Sequence, residues 1–364
     1  MVKLVVAVLL ILSGCGICQV PAQAPSVNQA SSAREQAPPA QTKSDVKGQT
    51  LSPDSINDVL WWLPEDTQTI MVARGPFKAP APISAPPDHL PWIRMVDAYL
   101  CNLPLGIIQT IKDATFYKPL VGRTVLFGVE GSRKFRPPSN LGEMLYEGCD
   151  IVVLEQGLGA ARDTLLSQMA SQAITVETIA GQKVMLFEEE READIWTVFV
   201  CLPRPNVLLC ATNRDFLTQV LNRMHQRGKA RALPENLPEW KQVNTRARFW
   251  AVRHYDKADA SEDPSSPLSG ELNAANWPDT KALGIVFDFD PRRSNPAIVR
   301  YLSENKDALK LFNDEHKAME QGFNPVIRKK ADGVVEMVLP LHDEKGVSMS
   351  LLVLLALFGH ATYL

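Results

Sequence analysis

Residues 149–211 read CDIVVLEQGLGAARDTLLSQMASQAITVETIAGQKVMLFEEEREADIWTVFVCLPRPNVLLCA, and the spacing of apolar residues along this stretch decides the fold. Positions 150–154 form a short apolar run of strand length. Positions 160–173 follow with Leu165, Leu166, Met169 and Ala173 on one face of a helix. Two β-rich runs, 174–179 and 183–188, flank Ala180-Gly181 and read as a hairpin. A second pair, 195–202 and 206–211, flanks Pro203-Arg204-Pro205. Thr212-Asn213-Arg214-Asp215 then opens a helix with Phe216, Val220, Leu221 and Met224 inward. Connections this short pair neighbouring strands antiparallel. The expected class is therefore α+β, mainly antiparallel sheet built from hairpins with packed amphipathic helices, rather than a doubly wound parallel sheet.

The flanks extend the pattern in both directions. Upstream, Ser52-Pro53-Asp54-Ser55 opens a helix carrying Ile56, Val59, Leu60 and Leu63 at helical spacing. Strands are expected over 67–73 and 122–128, a helix over 93–100, and loops over 78–91 and 133–140. Downstream, 246–253 and 282–289 read as strands, separated by an acidic, Ser/Pro-rich loop at 256–280. A helix is expected over 295–320 and a strand over 333–341. Residues 349–358, MSLLVLLALF, are strongly apolar but too short for the roughly 30 Å of hydrocarbon in a bilayer, so they read as a buried helix. No internal repeat is evident, and if the globular region 51–364 divides into subdomains the break falls near 229–245.

The start of the chain has a different character. Lys3 precedes a nine-residue apolar run, Leu4 to Leu12, which Leu12-Ser13-Gly14-Cys15 closes. A charged start, a short apolar core and small residues describe an export signal over 1–18. The final four residues resemble the lipobox of bacterial lipoproteins. That resemblance implies cleavage before Cys15, lipidation of its sulfur and attachment to a membrane of the cell envelope, with the domain in the periplasm or outside. The competing reading is ordinary cleavage near Ala22 or Ala24, and Pro25 after that site argues against it. Residues 19–50 are rich in Pro, Ala, Gln and Ser, so they are expected to be a disordered tether with an r.m.s. span of roughly 30 Å. Farther along, Leu63-Pro64-Glu65-Asp66-Thr67 resembles the strand lead-in of uncharacterised exported bacterial proteins, a likeness that implies no activity.

Composition bounds the chemistry. With 38 basic and 41 acidic residues the chain carries no basic excess that would advertise nucleic-acid binding. Cys101, Cys149, Cys201 and Cys210 lie in the globular part, where they either form two disulfides in one of three connectivities or stay buried and unpaired.

Several motifs carry a chemical alternative. Gly157-Leu158-Gly159-Ala160-Ala161-Arg162, with Glu177 downstream, has the layout of a dinucleotide site. Arg162 replaces the third glycine, so an ordinary strand-to-helix turn is favoured. Asp288-Phe289-Asp290 resembles the Asp-x-Asp of haloacid-dehalogenase-type phosphatases, but Arg292 stands where that family has Thr or Val. The loop from His254 to Asp263 reads as a solvated acidic loop rather than a Ca²⁺ site. Trp240, Trp250 and Trp277 near His254 could line a pocket, although aromatics of this kind mostly pack a core. No nucleophile elbow, zinc helix or phosphate loop is present, and the six histidines have no metal-ligand spacing. The expectation is an envelope-anchored, non-enzymatic binding or scaffold protein without cofactor or metal, joined to the membrane by its lipid and open to an envelope protein partner. The alternative is an exported hydrolase whose site assembles from His254, Asp256, Asp288 and Asp290.

Overall fold

Strands of five to eleven residues pair with their neighbours through backbone hydrogen bonds and build one sheet. The computed structural model describes residues 56–75, 90–102, 107, 125–133, 147–155, 157–159, 161–191, 194–226, 228–255, 282–304, 310 and 324–358. All of them lie in one unit, Ser55–Tyr363. The segments expected to form an export signal (1–18), a tether (19–50) and an acidic loop (256–280), with Cys15 and Trp277, lie outside the described residues.

The chain begins with helix α1 (Ile56–Trp62), strand β1 (Thr69–Arg74) and helix α2 (Leu90–Asn102). Strands β2 (Val125–Arg133) and β3 (Glu147–Leu154) lead to helix α3 (Ala161–Gln172). Then come β4 (Thr175–Ile179), β5 (Gln182–Arg191), β6 (Asp194–Arg204), β7 (Val207–Ala211) and helix α4 (Arg214–His225). A 3₁₀ turn (Pro238–Lys241) precedes β8 (Phe249–His254), β9 (Ala282–Phe289) and β10 (Ala297–Ser303). Strands β11 (Val326–Ala331) and β12 (Val334–Val338) and helix α5 (Glu344–Phe358) complete it.

The twelve strands among the described residues join one antiparallel sheet in the order β11-β12-β10-β9-β8-β1-β2-β3-β7-β6-β5-β4. The expected antiparallel arrangement is present, with sheet outweighing helix. One row of paired residues crosses the whole sheet, from Ile327 through Phe287, Ala251, Met71, Glu130 and Asp150 to Val176. Because side chains alternate along a strand, this row lies on one face, called here the second face. Ile70, Val72, Trp250, Asp288 and Arg300 belong to the first.

Helices cover both faces. On the first face, Val59 and Leu60 of α1 and Phe216 and Leu217 of α4 join Val72, Val129, Ile151 and Leu209 in one apolar cluster. On the second, Leu165 and Met169 of α3 pack with Met185, Val200 and Leu208. Phe358 of α5 lies 6.5 Å from Phe287, which sits 5.8 Å from Phe249.

The hairpin expected around Ala180-Gly181 forms, with φ of 46° and 76° at the two turn residues. The expected helix over 295–320 is corrected at its start: Ala297–Ser303 is strand β10. A short Asp-Pro turn folds it back onto β9, and burial on both faces removes the alternation that marks a half-exposed strand. Strand β11 was not expected from sequence.

The topology also shows a repetition that the residues conceal. Strands β1-β2-β3 form a meander and the returning strand β7 pairs with β3. Strands β8-β9-β10 do the same, and β12 pairs with β10. Leu63-Pro64-Glu65 leads into the first meander and Leu237-Pro238-Glu239 into the second. The closing helices differ, since α4 packs on the first face and α5 on the second. Among the described residues no helix is long and apolar enough to cross a membrane.

Candidate functional site

His254 ends β8, and Gly284 faces it across β9. Its Nδ1 lies 2.7 Å from Oε1 of Glu239, a carboxylate of the 3₁₀ turn that is wholly buried. Gly284 makes that possible: a Cβ there would fall 2.0 Å from Glu239 Oε1. A carboxylate on one ring nitrogen fixes the tautomer and orientation of an imidazole. Glu239 Oε2 is buried without a hydrogen-bond partner. This His–Glu pair is the most enzyme-like geometry among the described residues.

Asp288 lies elsewhere. It sits opposite Trp250 on β8, four residues from Gly284 on its own strand, or about 13 Å at a rise of about 3.3 Å per residue. Its carboxylate is fully buried and held at both oxygens, by Arg300 at 2.5 Å and Arg293 at 2.9 Å. Arg300 also donates from Nε to Glu336 Oε2 at 2.8 Å, and Glu336 Oε1 takes Arg328 at 2.5 Å. The result is a line of alternating charge across β9, β10, β12 and β11. Burial pushes the Glu336 carboxyl up, but hydrogen bonds from Arg328 and Arg300 outweigh it and hold the group below the usual carboxylate range.

Asp290 closes the turn after β9, accepting the Arg292 amide at 3.1 Å and its guanidinium at 2.9 and 3.0 Å. Burial raises its pKa, yet the Arg292 hydrogen bonds dominate and the group sits low. Arg293 reaches toward it at 4.0 Å. The structure thus joins Asp288 and Asp290 through Arg293 but does not bring His254 to them. Asp256 lies outside the described residues.

No protein-family model, curated protein or solved structure matches the chain.

The remaining sequence motifs resolve into packing. Arg162 donates to Leu202 O at 3.0 Å and Leu158 N to Pro205 O at 2.9 Å, so the glycine stretch docks on the β6–β7 turn. Glu177 pairs with Arg214 of α4 at 2.5 Å, on the sheet face opposite α3, which removes it from any dinucleotide layout. Trp250 is buried and meets Trp240 edge to face at 5.9 Å. No group of three or more metal-ligating side chains occurs among the described residues.

Sequence reasoning missed Glu239, Arg293, Arg300, Arg328 and Glu336, and with them the pair Glu130 and Asp150. These two carboxyls face each other across β2 and β3, and both are enclosed by protein. A signal existed for three of them: Arg300, Glu336 and Glu130 each interrupt an apolar strand run, where a charge persists only if it is paired or neutralised.

Proposed function

We propose that the chain is an envelope-anchored binding or scaffold lipoprotein rather than a hydrolase, exported through its first residues, attached at Cys15 and carried on the 19–50 segment. The α+β body of hairpins and amphipathic helices is its binding part. One observation carries the non-enzymatic side of this reading: His254 and Asp288 stand about 13 Å apart along the strands, and Asp288 and Asp290 are engaged by arginines. A general base and a nucleophile must lie within hydrogen-bond reach of one reacting atom. Both carboxylates are taken up in ion pairs that tie β9 to β10 and close the turn between them.

The anchor is tested by metabolic labelling with a palmitate analogue in a bacterial host, comparing the natural chain with Cys15→Ser. The natural chain takes up label and sediments with membranes, and the variant loses both. An unlabelled natural chain in the soluble fraction, with its N-terminus intact, overturns the reading.

A further inference from the structure

The two edges of the sheet differ in charge and in how they are guarded. Among the described residues four large apolar side chains stand exposed, and three lie at the edges: Ile174 (61%) and Val176 (39%) beside or on β4, and Val326 (60%) on β11. Strand β4 and its lead-in read Ile-Thr-Val-Glu-Thr-Ile, a β-branched run with neither Lys nor Pro, the residues that usually blunt an edge. Beyond it, Glu188, Glu189 and Glu190 continue β5 past the end of β4, which pairs only with Gln182 to Leu186. The opposite edge, β11, carries Arg328, Lys329 and Lys330, all exposed. One edge is β-prone and acidic, and the other is basic.

We propose that β4 of one copy of this chain docks on β11 of a second copy, extending the sheet from molecule to molecule. Three features select this occupant. The strand count is even and every pairing is antiparallel, so β4 and β11 run in opposite directions. A copy displaced sideways by one sheet width therefore presents β11 antiparallel to β4 with the same face upward. Arg328 and Glu177 both lie on the first face, so a register that sets them opposite keeps both faces continuous. Pairing of β11 with β11 would oppose lysines and arginines, and β4 with β4 would add no attraction of charge. The contact is heterologous and does not close on itself, so association is open-ended. It goes beyond the binding or scaffold reading and stands whether or not Cys15 carries a lipid.

Sedimentation velocity on the detergent-solubilised full chain tests it with two variants, Val176→Lys on the β4 edge and Lys329→Glu with Lys330→Glu on the β11 edge. The natural chain should give species rising by whole-chain steps with concentration. Each variant alone should be a monomer with an unchanged far-UV spectrum, and an equimolar mixture should stop at the dimer. Thr178→Lys, also at an exposed β4 position, replaces Val176→Lys if that variant misfolds. A natural chain that is monomeric at every concentration overturns the proposal. So does a Lys329→Glu, Lys330→Glu variant that dimerises alone, because β4 would then be pairing with itself.

Discussion

Glu130 and Asp150 occupy facing positions on β2 and β3 with exposures of 1% and 0%. Burial pushes both carboxyls well above their usual range, and for Asp150 repulsion from Glu130 adds to it. The Ile107 amide, donating to Asp150 Oδ2 at 2.8 Å, opposes the rise without cancelling it. A carboxyl whose pKa is raised by folding contributes stability in acid, below its unfolded value, and loses it as the pH climbs through the folded value. Glu336 behaves in the opposite sense: its pKa is lowered, so its contribution is present above the ordinary carboxylate range and fades as the pH falls. Stability should therefore fall on both sides of an intermediate pH. Glu130→Gln removes one titrating group while keeping its shape. Its urea midpoint should match the natural chain in acid and exceed it increasingly as the pH rises above the carboxylate range. A difference that stays constant across pH would mean that folding leaves the Glu130 pKa where it is in the unfolded chain.

Helix α4 is an element whose stability can be traced to one cap. Asn213 is extended, with φ of −132°, and its side chain accepts the Phe216 amide at 3.0 Å. Asn213→Ala should cost about 1 kcal/mol in urea unfolding, whereas Asn213→Asp keeps the acceptor and stays within a few tenths of the natural chain. Equal losses for both would assign the effect to something other than the cap. The cap was legible because it depends on local chemistry, a short polar side chain ahead of an amphipathic run. The hairpins between 174 and 211 were legible for the same reason, since turn residues and alternation sit side by side in the chain. Strand β10 was not: six of its seven residues are buried, so Ile298, Val299 and Tyr301 show neither period clearly. Strand β11 shows the converse, since five of its six residues are exposed and no apolar stripe marks it. The site residues follow the same logic. His254 and Asp288 were visible as chemistry-bearing types, but the 3₁₀ turn that brings Glu239 onto His254 and the register that brings Arg300 between Asp288 and Glu336 are tertiary facts.

A sheet covered on both faces also decides the fate of its thiols. Cys101, Cys149, Cys201 and Cys210 are all free and buried. Of the alternatives left open by composition, the structure realises the unpaired one. Cys149 and Cys210 come from adjacent strands, yet Cys149 pairs with Ala211 while Cys210 pairs with Asp150, which puts the two sulfurs on opposite faces. No disulfide can bridge that arrangement without breaking the register. Burial also suppresses reactivity, raising the Cys201 thiol to about 12 and pushing Cys149 and Cys210 up as well. Free cysteines enclosed this way survive an oxidising compartment only while the sheet stays shut, so their reaction rate measures its opening. In a full chain with Cys15→Ser and Cys18→Ser, an aromatic disulfide reagent at mildly alkaline pH should find no reactive thiol in the native protein. All four should then react together, at the rate of global unfolding, as urea is raised. Cys101 offers the sharpest check, because it lies on α2 rather than in the sheet and its thiol reaches Asp97 at 3.7 Å. Reaction of Cys101 ahead of the other three would show that α2 opens as a separate unit. Simultaneous reaction would mean that the helices and the twelve strands open only as one cooperative body.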